Sequence, residues 1–193
     1  MAVQRESVVT PERFAQGLTW AQWMEQIERN RDRFQQNYDR TELTEEQAAA
    51  FRELVARPDG PGKVLALGED WCPDVYRGLP VMARIAEAAG LELRIFFRDQ
   101  NKDIMNEFLN QGQFESIPTF VFYTKDHRYI AHWIERPKIA NEQMGEVRKL
   151  MEGKSREEAR DVYFRWQDTS PVWAGWRQAT ITEILELLRE HTG

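Results

Sequence analysis

The sequence predicts an α/β fold in which helices flank a mixed four-stranded sheet, with further helices at both ends of the chain. Three observations lead to this prediction. Apolar runs of strand length alternate with amphipathic helical segments in the order β-α-β-α-β-β. Two crossovers join the first three strands, and right-handed crossovers place the first strand inside the sheet. A short polar loop joins the last two strands, as in an antiparallel hairpin.

The composition favours a single folded unit and excludes several classes of protein. Hydrophobic residues make up 41% and aromatic residues 11% of the 193 positions, which is enough apolar surface to build a buried core. The 26 basic and 32 acidic residues give a net charge of −6, and this sign opposes binding to nucleic acid. No apolar segment approaches the roughly 20 residues that span a bilayer. We therefore expect neither a nucleic acid nor a membrane as a partner.

Cysteine usage indicates a reducing compartment. The single thiol, Cys72, cannot form an internal disulfide, and the first 14 residues do not resemble a signal peptide. A cytoplasmic protein is therefore expected. One cysteine and three scattered histidines also fail to supply the four nitrogen or sulfur ligands of a structural zinc site. Neither a metal nor a bound cofactor is predicted.

Residues 1–61 are predicted to form a helical extension before the α/β domain. Capping boxes at 19–22 and 44–47 each pair a threonine with a glutamine, which is typical of a helix start. Apolar side chains at helical spacing predict one long amphipathic helix over 20–38. The sequence PDGPG at 58–62 ends the last helix of the extension, because proline and glycine interrupt helices.

Residues 62–151 are predicted to form the α/β domain, and residues 152–193 a helical extension packed on it. The predicted strands are 64–67, 91–97, 119–123 and 129–135, and the predicted helices are 74–89, 101–110, 139–151, 155–167 and 180–191. Tryptophans occur in both extensions, and such large rings favour packing on a core. The stripe formed by Trp20 and Trp23 would either cover the sheet or form a homodimer interface, and the sequence leaves both open.

Cys72 lies between the first predicted strand and the helix that follows it. The free N–H groups and the dipole at a helix start favour a thiolate over a thiol. Pro73 fits the first helical turn, because the N–H that it lacks has no partner there. Three nearby carboxylates oppose a further negative charge, those of Glu69, Asp70 and Asp74. The sequence does not decide which effect on the thiol pKa is larger.

Four features around Cys72 together resemble the thioredoxin superfamily. They are the strand KVLAL at 63–67, the turn Trp71-Cys72-Pro73-Asp74, Pro80 eight residues after the cysteine, and Ser116-Ile117-Pro118-Thr119 before the third strand. The resemblance covers about residues 62–136 and is closest to a little-characterised bacterial thioredoxin-like subfamily with a single cysteine in this turn. It implies a thioredoxin-like fold, in which Pro80 bends the long helix and a cis bond between Ile117 and Pro118 faces Cys72.

Two departures from the superfamily pattern limit the chemistry that the resemblance implies. Val75 stands where a second cysteine is usual, so a mixed disulfide at Cys72 has no internal thiol to resolve it. Ala66 stands where thioredoxins carry a buried aspartate that assists proton transfer. By resemblance, the catalytic residue of the site is Cys72. The residues that line the site are Trp71, Pro73, Asp74, Val75, Ile117, Pro118 and Thr119.

Three functions fit these residues. In the first, Cys72 attacks a protein or low-molecular-weight disulfide, and an external thiol such as glutathione resolves the mixed disulfide as a co-substrate. The second is a non-catalytic binding or adaptor module, in which an extended peptide pairs with the backbone of Ile117 beside Pro118. The third is a redox sensor whose thiol is oxidised to a sulfenic acid or pairs between two chains. Arg98 would be a solvated loop charge or would bind the carboxylate of a glutathione-like thiol.

Overall fold

The computed structural model describes residues 7–192, in which helices flank a four-stranded sheet. The helices are α1 (Pro11–Ala15), α2 (Trp20–Gln26), α3 (Arg31–Asp39), α4 (Glu45–Ala56), α5 (Pro73–Ala89), α6 (Lys102–Met105), α7 (Lys138–Met151), α8 (Arg156–Thr169) and α9 (Pro171–His191). The strands are β1 (Pro61–Gly68), β2 (Glu92–Phe97), β3 (Thr119–Thr124) and β4 (Tyr129–Ile134). Residues 1–6 and 193, which end the two predicted extensions and include the start assessed for a signal peptide, lie outside the described residues.

The sheet has the strand order β2-β1-β3-β4. β1 runs parallel to β2 and antiparallel to β3, and β3 and β4 form an antiparallel hairpin. The prediction of a mixed sheet with the first strand inside it is confirmed. The register pairs Leu67 with Thr119 and Gly68 with Phe97. It therefore brings the segment before β3 to the end of β1, where α5 begins.

The prediction of one long helix over 20–38 is wrong, because the chain forms two helices, α2 and α3. Asn30 between them adopts a left-handed conformation with φ of 54°. A carboxylate oxygen of Asp70 accepts hydrogen bonds of 3.0 Å from the N–H groups of both Glu28 and Arg29. These donors thus find a partner more than 40 residues away along the chain, which the local spacing of apolar residues does not reveal.

Two other helix boundaries also differ from the prediction. The helix predicted over 101–110 is limited to α6, because the chain then turns and reaches Gly112 at a φ of 69°. The last helix, predicted from residue 180, already begins at Pro171, where the Ser170 hydroxyl accepts from a backbone N–H of the first turn. Gly175 weakens the helical signal in this stretch of sequence, whereas packing on the core maintains the helix.

β1 and α5 form the centre of the hydrophobic core. Residues 64–68 of β1 are all buried, and so is most of α5, which continues as a helix through Pro80. α9 packs against both α5 and β4, and its side chains Ile184 and Leu188 are fully buried. The carboxyl-terminal helix therefore shares the core of the sheet.

The tryptophan stripe of the amino-terminal extension packs inside the protomer. Trp23 is buried against Phe34 and Phe97, with ring centroids 5.8 and 4.6 Å apart. Trp20 stacks on Tyr38 with a centroid distance of 5.3 Å. Because Phe97 belongs to β2, this stripe covers the β2 edge of the sheet.

Neither a membrane helix nor a metal-binding cluster occurs in the part of the chain that the structure describes. Across residues 7–192, every helix is too short or too polar to cross a bilayer. In the same range, no three His, Cys, Asp or Glu side chains are grouped so that they would hold a metal ion.

Asn37 of α3 joins the two helical extensions through buried polar contacts. Its side-chain oxygen accepts hydrogen bonds from the indole N–H of Trp173 at 3.2 Å and from the guanidinium of Arg177 at 3.1 Å. Its amide nitrogen donates to the backbone carbonyl of Arg33 at 2.9 Å. Asn37, Trp173 and Arg177 are all buried, so bulk water does not reach these groups when a partner is removed.

We expect Asn37→Ala to lower the free energy of unfolding by about 2–4 kcal/mol, because it leaves a buried indole N–H and a buried guanidinium without their acceptor. Urea denaturation followed by circular dichroism measures this change. Asn106→Ala is the matched control, since Asn106 is exposed, and we expect it to change stability by less than about 0.5 kcal/mol. Equal effects of the two substitutions would contradict the structural role of Asn37.

Candidate functional site

The predicted site residues meet where β1 ends, α5 begins and the segment before β3 passes. Two glycines allow these elements to approach closely. A Cβ atom on Gly68 would lie 2.7 Å from a methyl carbon of Val75, and one on Gly78 would lie 3.1 Å from the ring of Pro118. The first contact holds α5 against β1. The second contact holds it against the start of β3.

Cys72 is the N-cap residue of α5 and is half-buried. Its backbone carbonyl accepts hydrogen bonds of 3.0 Å from the N–H groups of Val75 and Tyr76. Its sulfur lies 3.9 Å from the carbonyl oxygen of Ile117, to which the thiol donates a weak hydrogen bond. Because this bond needs the sulfur-bound proton, the geometry favours the thiol over the thiolate.

Burial and charge together raise the pKa of the Cys72 thiol to about 11. Desolvation is the largest cause, because apolar surroundings disfavour the charged thiolate, and the carboxylate of Asp74 is the second. The N–H groups of Val75 and Asp74 and the guanidinium of Arg77 lower the pKa by less. The sequence did not decide whether the helix start or the nearby carboxylates have the larger effect on this pKa. In the structure, the effects that raise the pKa are larger, so the thiol is favoured at neutral pH.

The carboxylate of Asp74 is held between two arginines. Its oxygens lie 2.7 Å from the guanidinium of Arg77 and 2.8 Å from that of Arg136. The Arg77 side chain is fully buried, and its guanidinium lies over the rings of Trp173 and Trp176 at 5.3 and 5.5 Å. A buried cation requires an anionic partner, and Asp74 provides it for Arg77. Sequence reasoning missed both arginines, although the i, i+3 spacing of Asp74 and Arg77 on a helix is a signal for one.

The two acids that precede Trp71 position the turn rather than contact a substrate. Besides its bonds to the α2–α3 loop, Asp70 accepts a hydrogen bond of 2.9 Å at its backbone carbonyl from the side-chain amide of Asn30. Glu69 is buried and accepts from the backbone N–H of Asp99 at 2.8 Å. Burial raises the pKa of the Glu69 carboxyl above its ordinary value. Both side chains therefore connect the turn to neighbouring loops.

Trp71 is the most exposed of the predicted site residues, with 44% of its surface accessible. The guanidinium of Arg98 lies 5.4 Å from the centre of its ring. Arg98 also donates to the backbone carbonyl of Glu115 at 3.0 Å and pairs with Asp99 at 2.8 Å. These contacts leave the Arg98 side chain only 14% exposed, so the expectation of a solvated loop charge is wrong.

The segment opposite Cys72 is buried. The Ile117–Pro118 peptide bond is cis, and Ile117, Pro118 and Thr119 are all buried. The hydroxyl of Thr119 donates to the backbone carbonyl of Ser116 at 2.9 Å. Val75, three residues after Cys72, is also fully buried. The carbonyl oxygen of Ile117 accepts from the Cys72 thiol, and the strand-like pairing of a peptide with this backbone stays a prediction.

A groove of about 670 Å³ opens beside Trp71, between the α2–α3 loop, the start of α5 and α8. Trp71 and Pro73 of the predicted site contribute to its wall, and Tyr163 and Phe164 of α8 face them. Sequence reasoning missed this groove. Its two walls are far apart in the chain, and only packing of the carboxyl-terminal helices brings them together.

A sequence family matches this chain, and solved structures share its fold. A sequence model of a thioredoxin family matches residues 17–152. The crystal structure of a protein of unknown function from Pseudomonas aeruginosa aligns with a TM-score of 0.63 and 15% identity, over 94% of this chain and 98% of that one. The crystal structure of an HIV epitope scaffold aligns with a TM-score of 0.61 and 17% identity, over 96% and 99% of the two chains. No curated protein matches the sequence.

We expect the Cys72 thiol to ionise with a midpoint near pH 11, and Asp74→Asn to lower that midpoint by about one pH unit. The substitution removes a nearby negative charge, which stabilises the thiolate, and it also frees the guanidinium of Arg77. The rate of alkylation by iodoacetamide between pH 7 and pH 11.5, with mass detection, measures the pKa of the thiol.

Asp39→Asn provides the matched control for this measurement, because Asp39 is exposed and is not among the groups that act on Cys72. We expect it to leave the midpoint unchanged. Circular dichroism verifies that each variant is folded. A wild-type midpoint at or below about 8.5, the ordinary value for cysteine, would contradict the interpretation of Cys72 as a stable thiol.

Proposed function

Because the chain belongs to the thioredoxin family, we propose that it uses this fold as a binding module for a protein partner. The partner contacts the groove beside Trp71, and Cys72 packs behind that surface as a thiol. One observation carries this proposal. The sulfur of Cys72 donates to the Ile117 carbonyl in a half-buried position, where burial and the nearby carboxylate of Asp74 raise the pKa of the thiol.

Thiol–disulfide exchange places requirements on the site that these residues meet poorly. The attacking species is the thiolate, and a thiol with a pKa of about 11 is ionised in about one molecule in ten thousand at pH 7. A dithiol cycle also needs a second cysteine, and the buried side chain of Val75 occupies that position. Oxidation to a sulfenic acid depends on the thiolate too, so the same argument weighs against a redox sensor.

Trp71 has the properties of an aromatic anchor residue in a binding surface. Large aromatic side chains are usually buried, whereas this ring is 44% accessible. The stacking of Arg98 on the ring restricts its motion before a partner arrives. Pre-ordered aromatic anchors in a pocket contribute much of the affinity at protein interfaces. The groove volume of about 670 Å³ lies within the range of ligand sites, which is about 300–1,000 Å³.

Monothiol exchange is the second candidate, because Cys72 caps a helix and is partly accessible. In this reaction the Cys72 thiolate attacks one sulfur of a disulfide, a mixed disulfide forms, and the other sulfur leaves as a thiolate. An external low-molecular-weight thiolate then attacks the sulfur bound to Cys72. That step forms a new disulfide with the external thiol and returns the Cys72 thiolate.

The two candidate functions differ in their dependence on Cys72. We expect the wild type to reduce hydroxyethyl disulfide with glutathione at pH 7 no faster than Cys72→Ala does, because so little thiolate is present. Consumption of NADPH by coupled glutathione reductase measures this rate. A wild-type rate more than about tenfold above that of Cys72→Ala would favour monothiol exchange instead.

The binding function is expected to depend on Trp71 and not on Cys72. We expect peptides selected from a random library on the immobilised wild type to bind Cys72→Ala with the same affinity and Trp71→Ala at least about tenfold more weakly. Phe114→Ala is the matched control, because Phe114 is 55% exposed and does not line the groove. Selected peptides that bind Trp71→Ala as tightly as the wild type would contradict the proposed surface.

A further inference from the structure

We propose that the groove beside Trp71 selects an acidic segment of a partner protein, whose carboxylates are bound by Arg29, Arg156 and Arg160. The inference rests on the proposed binding function and adds the chemistry of the partner. It follows from the charges at the groove, from its aromatic walls and from its extended shape.

Three exposed arginines surround the groove, Arg29 from the α2–α3 loop and Arg156 and Arg160 from α8. Among the described residues that line it, none is acidic. Within residues 7–192, Arg29 and Arg156 form no ion pair, and Arg160 has only Asp161 at 3.8 Å. Five hydrogen-bond donors on each guanidinium match the geometry of a carboxylate. The groove is therefore positively charged, although the whole chain has a net charge of −6.

Arg156 and Arg160 are four residues apart on one face of α8. Like charges at this spacing repel each other and destabilise a helix slightly. A carboxylate that binds between them removes this repulsion and gains charge-assisted hydrogen bonds. Arg29 faces them from the other side of the groove, so a ligand with more than one carboxylate would contact both walls.

The floor and walls of the groove are aromatic. Trp71, Tyr163 and Phe164 line it, and they offer contact area to an apolar or aromatic side chain of the partner. A second cavity of about 500 Å³ continues along α8 and is lined by Arg156, Glu157 and Arg160. Because the two cavities share Arg156 and Arg160, an extended peptide can contact both cavities at once. Glu157 is the one acidic residue among the described lining of the second cavity, so the acidic side chains of the partner belong in the groove, between Arg29 and Arg160.

Single-stranded nucleic acid is the competing ligand for a surface of arginines and aromatic rings. The excess of 32 acidic over 26 basic residues opposes the approach of a polyphosphate, since nucleic-acid affinity depends on many phosphate contacts. A short acidic peptide needs only the local positive charge. The charge of the whole chain therefore opposes a nucleic acid more strongly than a short acidic peptide.

Fluorescence anisotropy with three labelled probes tests the inference. The probes are the peptides EEFEE, QQFQQ and KKFKK, which share a central phenylalanine and carry negative, neutral and positive side chains beside it. We expect the wild type to bind EEFEE at least about tenfold more tightly than QQFQQ in 50 mM salt and to lose this preference in 500 mM salt. The double variant Arg156→Ala/Arg160→Ala should bind EEFEE about tenfold more weakly and QQFQQ unchanged.

Arg148→Ala/Arg165→Ala is the matched control, because it removes two exposed positive charges that do not line the groove. It should bind EEFEE within about twofold of the wild type. Equal binding of EEFEE and QQFQQ, equal losses in the two double variants, or displacement of EEFEE by a ten-nucleotide dT strand would each overturn the inference. The inference would also be overturned if none of the three probes bound at 1 mM peptide. A dissociation constant of about 1 mM is the weakest affinity that we count as specific.

The outcomes separate this inference from the proposed function. If EEFEE and QQFQQ bind equally and both are lost in Trp71→Ala, the binding surface stands and its acidic preference fails. If Cys72-dependent disulfide turnover is found, the proposed function fails whatever the peptides do. Tight binding of EEFEE that Trp71→Ala leaves unchanged would assign the arginines to a separate surface.

Discussion

The ion pair between Asp74 and the buried guanidinium of Arg77 is the interaction on which the rest of this site depends. A charged group without access to water is stable only with its partner in place. That partner is the carboxylate of Asp74, two residues from Cys72. Burial is the largest cause of the raised pKa of the Cys72 thiol, and the negative charge of Asp74 acts in the same direction. The pairing of Arg77 thus also contributes to the chemistry of the thiol.

The same arginine connects the site to the carboxyl-terminal helices. Its guanidinium contacts the rings of Trp173 and Trp176, and the hydroxyl of Tyr76, the preceding residue in α5, shares hydrogen bonds of 2.8–3.0 Å with Gln167 of α8. These contacts hold α8 across the start of α5. The added helices therefore form one wall of the groove beside Trp71. A minimal domain without them would present Trp71 to open solvent.

Local sequence patterns predicted the sheet and most helices because each signal lies within one segment. The hydrophobic runs identified four strands, and capping boxes identified the starts of α2 and α4. The errors occurred where distant groups decide the backbone. Asp70 interrupts the helix between α2 and α3, and core packing extends α9 to Pro171 through Gly175. Neither effect can be predicted from the spacing of apolar residues.

The sequence by itself determined that this chain has one thiol, that the thiol follows a strand and begins a helix, and that no second cysteine accompanies it. Those properties depend only on residue identity and order. The tertiary structure decided the ionisation of Cys72, the burial of Ile117 and the groove beside Trp71. These properties depend on desolvation and on charges from elements that are distant in sequence, such as Arg136 and α8. Burial and Coulomb interactions act through space, and the fold alone determines which groups are neighbours.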